Sequence, residues 1–154
     1  MNRRAFIKRS SLATAAIAAG VKTPLFAQVA PLKIGLIGSG WYGLVIAKAA
    51  LQAGGVEIAA VSDVDSQHLK NGVNELESLQ GTAPRAYKHH RDLLEHPGLV
   101  AVLIGTPPHW HALQFVDACR KGLHIYCEKP LAYDVDEGIA MVEAAREAGN
   151  IVQI

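Results

Sequence analysis

The stretch Leu32-Lys33-Ile34-Gly35-Leu36-Ile37-Gly38-Ser39-Gly40-Trp41-Tyr42-Gly43 decides how this chain folds. A mostly apolar run ends in G-x-G-x-x-G, and an apolar-rich segment, Leu44 to Ala53, follows. That order predicts a buried strand, a tight glycine turn and a helix. Gly38 permits the sharp turn, Gly40 lets another molecule approach the backbone, and Gly43 lets helix and strand pack closely. The helix start offers unpaired N–H groups and a positive dipole end. Such a turn suits a pyrophosphate held over Gly38, Ser39, Gly40, Trp41, Tyr42 and Gly43. Trp41 and Tyr42 either flank that anion or pack on a further domain.

An acid stands at the right distance downstream. Val56 to Ser62 reads as a second strand, rich in β-branched residues, and Asp63 follows it, 20 residues after Gly43. In a β-α-β unit a carboxylate there accepts hydrogen bonds from the adenosine ribose hydroxyls and repels the extra phosphate of NADP. NAD is therefore the expected cofactor, with NADP disfavoured. The bland alternative makes Asp63 a turn residue. Asp65 is better placed to cap the next helix.

Further along, strands and helices alternate. Ser66 to Leu79 reads as a helix softened by Gly72, and Arg85-Ala86-Tyr87 as a short strand. Arg91 to Glu95 is a short helix stopped by His96-Pro97-Gly98. Leu99 to Ile104 is a continuous apolar run, as expected of a strand buried on both faces. His109 to Lys121 has helical spacing, His124 to Cys127 is a strand, and Asp134 to Ala148 is a helix with Asp134 as cap and Gly149 as stop. Ile151 to Ile154 begins one more strand. This pattern predicts an α/β fold, a doubly wound parallel sheet of Rossmann type in the order 3-2-1-4-5-6. Gly38, Asp63, Thr106 and Glu128 then all fall at strand C-termini, the edge where open parallel sheets bind ligands.

Composition narrows the function class. The 154 residues suit one domain, and half are hydrophobic, enough for a packed core. Residues 1–30 hold five Lys/Arg (Arg3, Arg4, Lys8, Arg9, Lys22) and no Asp or Glu; the remainder has ten basic and fourteen acidic residues, a net of −4. A mildly acidic body gives no support to nucleic-acid binding. Cys119 and Cys127 make no disulfide framework and read as two buried or half-buried thiols. His109 and His111, two apart, face different ways on a helix and make a poor metal site. His89 and His90 read as residues of a solvated loop.

Residues 1–30 read as an address and linker, residues 31–154 as the dinucleotide-binding domain. Arg3-Arg4-Ala5-Phe6-Ile7-Lys8 resembles the twin-arginine export signal of bacteria, followed by a weakly apolar stretch from Leu12 to Ala19 and small residues at Ala27 and Ala30. That stretch is too short to span a bilayer, so no stable membrane span is expected. The alternative is an amphipathic or unstructured tail. The expected location is the periplasm, or export by that route. The twin-arginine route carries folded proteins, which suits one that must trap its dinucleotide before leaving the cytoplasm.

Two motifs complete the pattern: Gly105-Thr106-Pro107-Pro108-His109-Trp110-His111 after the fourth strand, and Cys127-Glu128-Lys129-Pro130 after the fifth. With Gly38–Gly43, the T-P-x-x-x-H and E-K-P motifs make the chain from Leu32 to Ile154 resemble the N-terminal half of the Gfo/Idh/MocA oxidoreductases. The resemblance implies that Thr106 and Pro107 lie along the cofactor beside the nicotinamide ribose, with Glu128 close to that ribose. It implies that Lys129 points at the substrate hydroxyl, in concert with a residue of a second, α/β domain. A cis Lys129–Pro130 peptide would aim the lysine. Lysine serves such chemistry as a base, once burial beside a positive nicotinamide strips its charge, or as a donor that holds the hydroxyl. His111 matches the motif histidine; it either caps or touches the substrate pocket, or makes structural hydrogen bonds.

The resemblance implies a sugar, polyol or related cyclic alcohol as substrate and a homo-oligomer in a full-length form. Because family members continue into the second domain, the chain reads as a fragment or a natural truncation. Three functions follow: an exported NAD-dependent oxidoreductase, a glycoside hydrolase that uses bound NAD for transient oxidation, or a non-catalytic dinucleotide-binding module.

Overall fold

The computed structural model describes residues 30–154, so the export-signal reading lies, but for Ala30, outside the described residues. Six strands form one sheet: β1 (Leu32–Ile37), β2 (Val56–Ser62), β3 (Arg85–Tyr87), β4 (Leu99–Ile104), β5 (His124–Cys127) and β6 (Val152–Gln153). Every pairing is parallel and the order is β3-β2-β1-β4-β5-β6, as the alternation predicted. The connecting helices are α1 (Trp41–Ala53), α2 (Ser66–Gln80), α3 (His90–Leu94), α4 (His111–Arg120) and α5 (Val135–Ala148).

Alternate residues of the central strands feed two cores. On one face Ile34, Leu36, Ile58, Val61 and Leu103 pack with Ile46 and Ala47 of α1 and Leu76 of α2. On the other, Ile37, Val102, Ile104, Ile125 and Cys127 pack with Leu93 of α3, Phe115 and Ala118 of α4 and Met141 of α5. A strand covered on both sides has no polar face, which is why Leu99–Ile104 is apolar throughout.

Capping chemistry sets the helix ends. Asp65 accepts from the backbone N–H of Gln67 (2.8 Å) and His68 (2.9 Å), and Asp134 from Glu137 (2.8 Å). Each satisfies a donor that the first turn leaves without a partner. The helix expected over His109–Lys121 is broken in two. Pro107 to Trp110 tightens into a 3-10 turn, closed by Trp110 N–H donating to the Pro107 carbonyl (3.0 Å), and α4 begins at His111. Pro108, which has no N–H, fits the first position of such a turn. The short helix α3 runs one residue earlier than expected, His90–Leu94, and so takes His90 out of the loop.

The switch point between β1 and β4 is packed backbone against backbone. Gly38 has φ +88°, the left-handed region that disfavours side chains. A Cβ on Gly43 would collide with the Gly38 carbonyl oxygen, and one on Gly105 would stand 2.8 Å from the Gly43 Cα. Gly72, which reads in sequence as a soft spot in α2, has the same reason: a Cβ there would meet the Ser39 Cβ at 2.8 Å. Gly40 differs, with nothing within 4 Å of an added Cβ.

Gly43→Ala is therefore expected to destabilise the fold by about 1–3 kcal/mol or more, and Gly40→Ala to leave it unchanged. Chemical denaturation of both variants checks this; equal midpoints would refute the packing argument.

Candidate functional site

The glycine turn leaves β1 at its carboxyl end and runs straight into α1. Gly40 is the N-cap of α1 and makes no side-chain cap, and the first turn carries no acid. The first hydrogen bond back to the turn is Leu44 N–H to the Gly40 carbonyl (3.1 Å). The amides of Trp41, Tyr42 and Gly43 have no acceptor among the described residues, and those of Trp41 and Tyr42, whose residues line the open space, stay available to an anion.

Asp63 ties the end of β2 to this turn. Its Oδ2 accepts from the Ser39 amide (2.7 Å) and hydroxyl (3.1 Å), while Oδ1 accepts from the Asp65 amide (2.9 Å). The carboxylate thus serves the turn as well as facing the space beside it. Oδ2 has both lone pairs engaged, and Oδ1 keeps one for a further donor.

That space is a cavity of about 880 Å³, the size of a small-molecule site. Of the residues singled out in the sequence, Gly38, Gly40, Trp41, Tyr42, Asp63, Thr106 and Pro107 line it. Ser39 and Gly43 are buried behind it, Ser39 at 1 % exposure. His111, Glu128 and Lys129 are not among its lining residues.

His111 is 1 % exposed. Its Nδ1 lies 3.0 Å from the Pro130 carbonyl and its Nε2 2.7 Å from the Thr106 carbonyl. The ring pins the turn after β4 to the turn after β5. Glu128 is also buried, and its Oε1 accepts from the Tyr126 hydroxyl (2.9 Å) and its Oε2 from the Lys129 amide (3.2 Å). That bond to Glu128, then burial, raises the Tyr126 phenol above its ordinary value. Lys129 is exposed at the same rim, and its peptide with Pro130 is cis.

Sequence reading missed the opposite wall. His90, expected on a solvated loop, is half-buried at the start of α3 and lines the cavity. Its Nε2 donates to Asp117 Oδ2 of α4 (3.0 Å), which also accepts from Arg91 Nε (2.9 Å). Arg120 Nη1 is 3.5 Å from Asp117 Oδ1. Burial pulls the Asp117 carboxyl upward, yet hydrogen bonds from His90 and Arg91 outweigh it and hold the group below its ordinary 3.8. These partners lie 26 and 27 residues apart, a spacing with no local signature.

The two thiols, Cys119 and Cys127, are free and buried. Burial and the neighbouring Glu128 charge push Cys127 up to about 12, and burial raises Cys119. Neither is suited to nucleophilic or redox chemistry. Among the described residues no cluster of His, Cys, Asp and Glu is suited to a metal, and no helix is long and apolar enough to cross a membrane.

The chain is similar to known proteins. Residues 32–154 match the Gfo/Idh/MocA family model, described as an oxidoreductase family with an NAD-binding Rossmann fold. A glycosyl hydrolase family 109 protein of Stenotrophomonas maltophilia is 32% identical over 83% of this chain and 29% of its own length. The crystal structure of an NAD-binding oxidoreductase from Klebsiella pneumoniae superposes with a TM-score of 0.71 at 33% identity, covering 80% of this chain and 34% of that one. That of myo-inositol 2-dehydrogenase from Lactobacillus plantarum gives 0.72 at 28% identity, covering 80% and 35%. The chain thus spans about a third of the length of these relatives.

A carboxyl held low in the folded state adds stability above its unfolded value, and the gain is lost as pH falls through the folded one. Wild-type protein should lose the Asp117 contribution below about pH 4. Asp117→Asn should lack it already at neutral pH and show a shallower acid limb. Melting temperature against pH tests this, and parallel curves for the two proteins would contradict it.

Proposed function

The chain belongs to the Gfo/Idh/MocA oxidoreductase family and has its NAD-binding Rossmann fold; from that premise we propose that it is the cofactor half of an enzyme that oxidises a sugar, polyol or related cyclic alcohol by hydride transfer. One observation carries the reading. The Ser39 amide donates to Asp63 at 2.7 Å in the wall of the cavity, so the phosphate-binding turn and the ribose-binding acid are one hydrogen-bonded unit.

The residues present fit a dinucleotide. Gly40 leaves open space where a side chain would stand, and the free amides at the start of α1 would serve an anion. Asp63 accepts a ribose hydroxyl through the lone pair left on Oδ1, and its charge opposes a 2′-phosphate, which favours NAD over NADP. Thr106 and Pro107 form the wall nearest Gly38. A nicotinamide dinucleotide held here would supply the acceptor for a hydride from the alcohol carbon. Lys129, exposed on the rim, holds the substrate hydroxyl as a donor or takes its proton. Glu128, fixed by Tyr126, holds the Lys129 amide and so sets where that side chain starts. His111 keeps the Thr106 and Pro130 turns in register.

The name of the family 109 relative supports a second reading, glycoside hydrolysis, in which a bound dinucleotide would serve a transient oxidation and undergo no net change. In a full-length protein, the dehydrogenase leaves a net change in nicotinamide absorbance; the hydrolase releases sugar with none.

Asp63→Asn keeps one oxygen to accept from the Ser39 amide and gives up the bond from the exposed Asp65 amide, so its melting temperature should fall only slightly. Its affinity for NAD by calorimetry should fall about tenfold or more, in line with a lost charge-assisted hydrogen bond. Unchanged affinity would sink the ribose role. We also propose that the Arg3-Arg4 leader directs export. Lysine at both positions should retain the protein inside the cell; undiminished export would count against the twin-arginine route.

A further inference from the structure

Gln114 belongs to none of the three motifs, yet it is buried at 6 % exposure and lines the cavity from α4. Its Oε1 accepts the Thr106 hydroxyl proton at 2.6 Å. Its amide nitrogen donates to no acceptor among the described residues. No fully buried side-chain polar atom among them lacks a partner, so that nitrogen reaches the open space of the cavity. A buried amide has paid much of its desolvation cost, and an unused donor aimed into a cavity marks a ligand contact.

The pair has a definite hydrogen-bonding face. Thr106 has spent its proton on Gln114 and shows the cavity only lone pairs, while Gln114 shows N–H groups. Turning the carboxamide over exchanges the two roles and keeps one donor beside one acceptor. A phosphate, all acceptor, fits such an edge poorly. The ribose is already served by Asp63. Glu128 and Lys129, which the resemblance sets at the nicotinamide end, do not line this cavity, while Asp63, Val64 and His68 do. It therefore holds the adenosine side, and Thr106 is assigned to the purine rather than to the nicotinamide ribose. The purine's 6-amino group and adjacent ring nitrogen offer the complementary donor and acceptor. Val64, after β2, and Leu113, beside Gln114, line the same cavity and supply apolar surface for a flat ring.

We infer that Gln114, paired with Thr106, reads the amino edge of the cofactor's adenine and selects it against other bases. The inference rests on the dinucleotide reading above and adds to it a base-selecting residue.

Nicotinamide hypoxanthine dinucleotide replaces the 6-amino donor with a carbonyl and changes nothing else outside the purine. Calorimetry on the whole chain should find NAD bound about tenfold tighter than this analogue, the scale of one good bidentate pair. In Gln114→Leu, whose fold is checked by its melting temperature, the two ligands should bind within about twofold of each other. Equal binding by the wild-type protein, which needs no variant, would overturn the role of Gln114 and leave the dinucleotide reading intact. Retention of the tenfold ratio in Gln114→Leu would overturn it as well. Binding of neither ligand by folded wild-type protein would overturn both.

Discussion

The carbonyl of Gly38 and the Cα of Gly43 lie so close that no side chain fits between them, and the rest of the site depends on that contact. It brings the first turn of α1 down onto the carboxyl ends of β1 and β4, where Gly105 leaves room for it in turn. The helix start therefore lies at the lip of the sheet, where the Trp41 and Tyr42 amides have no acceptor among the described residues. The arrangement is costly in entropy, because glycines lose the most freedom on folding. Burial on both sheet faces and the bonds from Ser39 to Asp63 offset that cost. Gly72 extends the same logic outward, since only a bare Cα lets α2 cross beside Ser39.

The rim of the sheet divides into two neighbourhoods. One is the cavity, where Gly38, Asp63 and Thr106 meet beside the switch point. The other is the turn after β5, where Glu128 is fixed by Tyr126, whose ring packs on the α1 side of the sheet. His111 is the link, because its ring touches the backbone of both turns. A change in one turn is thereby felt in the other through a single buried side chain. The cofactor half and the rim that carries Lys129 are built as one piece.

Much of this was legible in the amino-acid order. The glycine turn, the acid after β2 and the apolar β4 are local patterns with local causes, and β2 to β5 fall where those patterns predict. Asp65, Asp134 and Gly149 behave as caps because their work is done within one helical turn. What stayed hidden depends on contacts between distant segments. His90 reads as solvated until Asp117, 27 residues away, comes alongside. Gln114 reads as one more polar residue on a helix until the turn after β4 folds Thr106 against it. The 3-10 turn at Pro108 was missed for a different reason. Its residues have acceptable helical spacing, and the change comes from a proline that sets the first turn and a histidine ring already committed to two carbonyls.

The mouth of the cavity poses a physical problem. Trp41 is 80 % exposed and Trp110 47 %, with Tyr42 and Leu113 beside them. Apolar side chains of this size around an opening lower their free energy when something covers them, at about 25 cal/mol per Å². A dinucleotide in the cavity would cover only their inner edges. The outer faces, and Lys129 with them, remain open for a further surface to cover. If the leader proposal holds, that covering has a second use. A dinucleotide carried across a membrane inside a folded protein would be lost at the rate at which its site opens, so the aromatic rim at the mouth would bear on how long it stays bound.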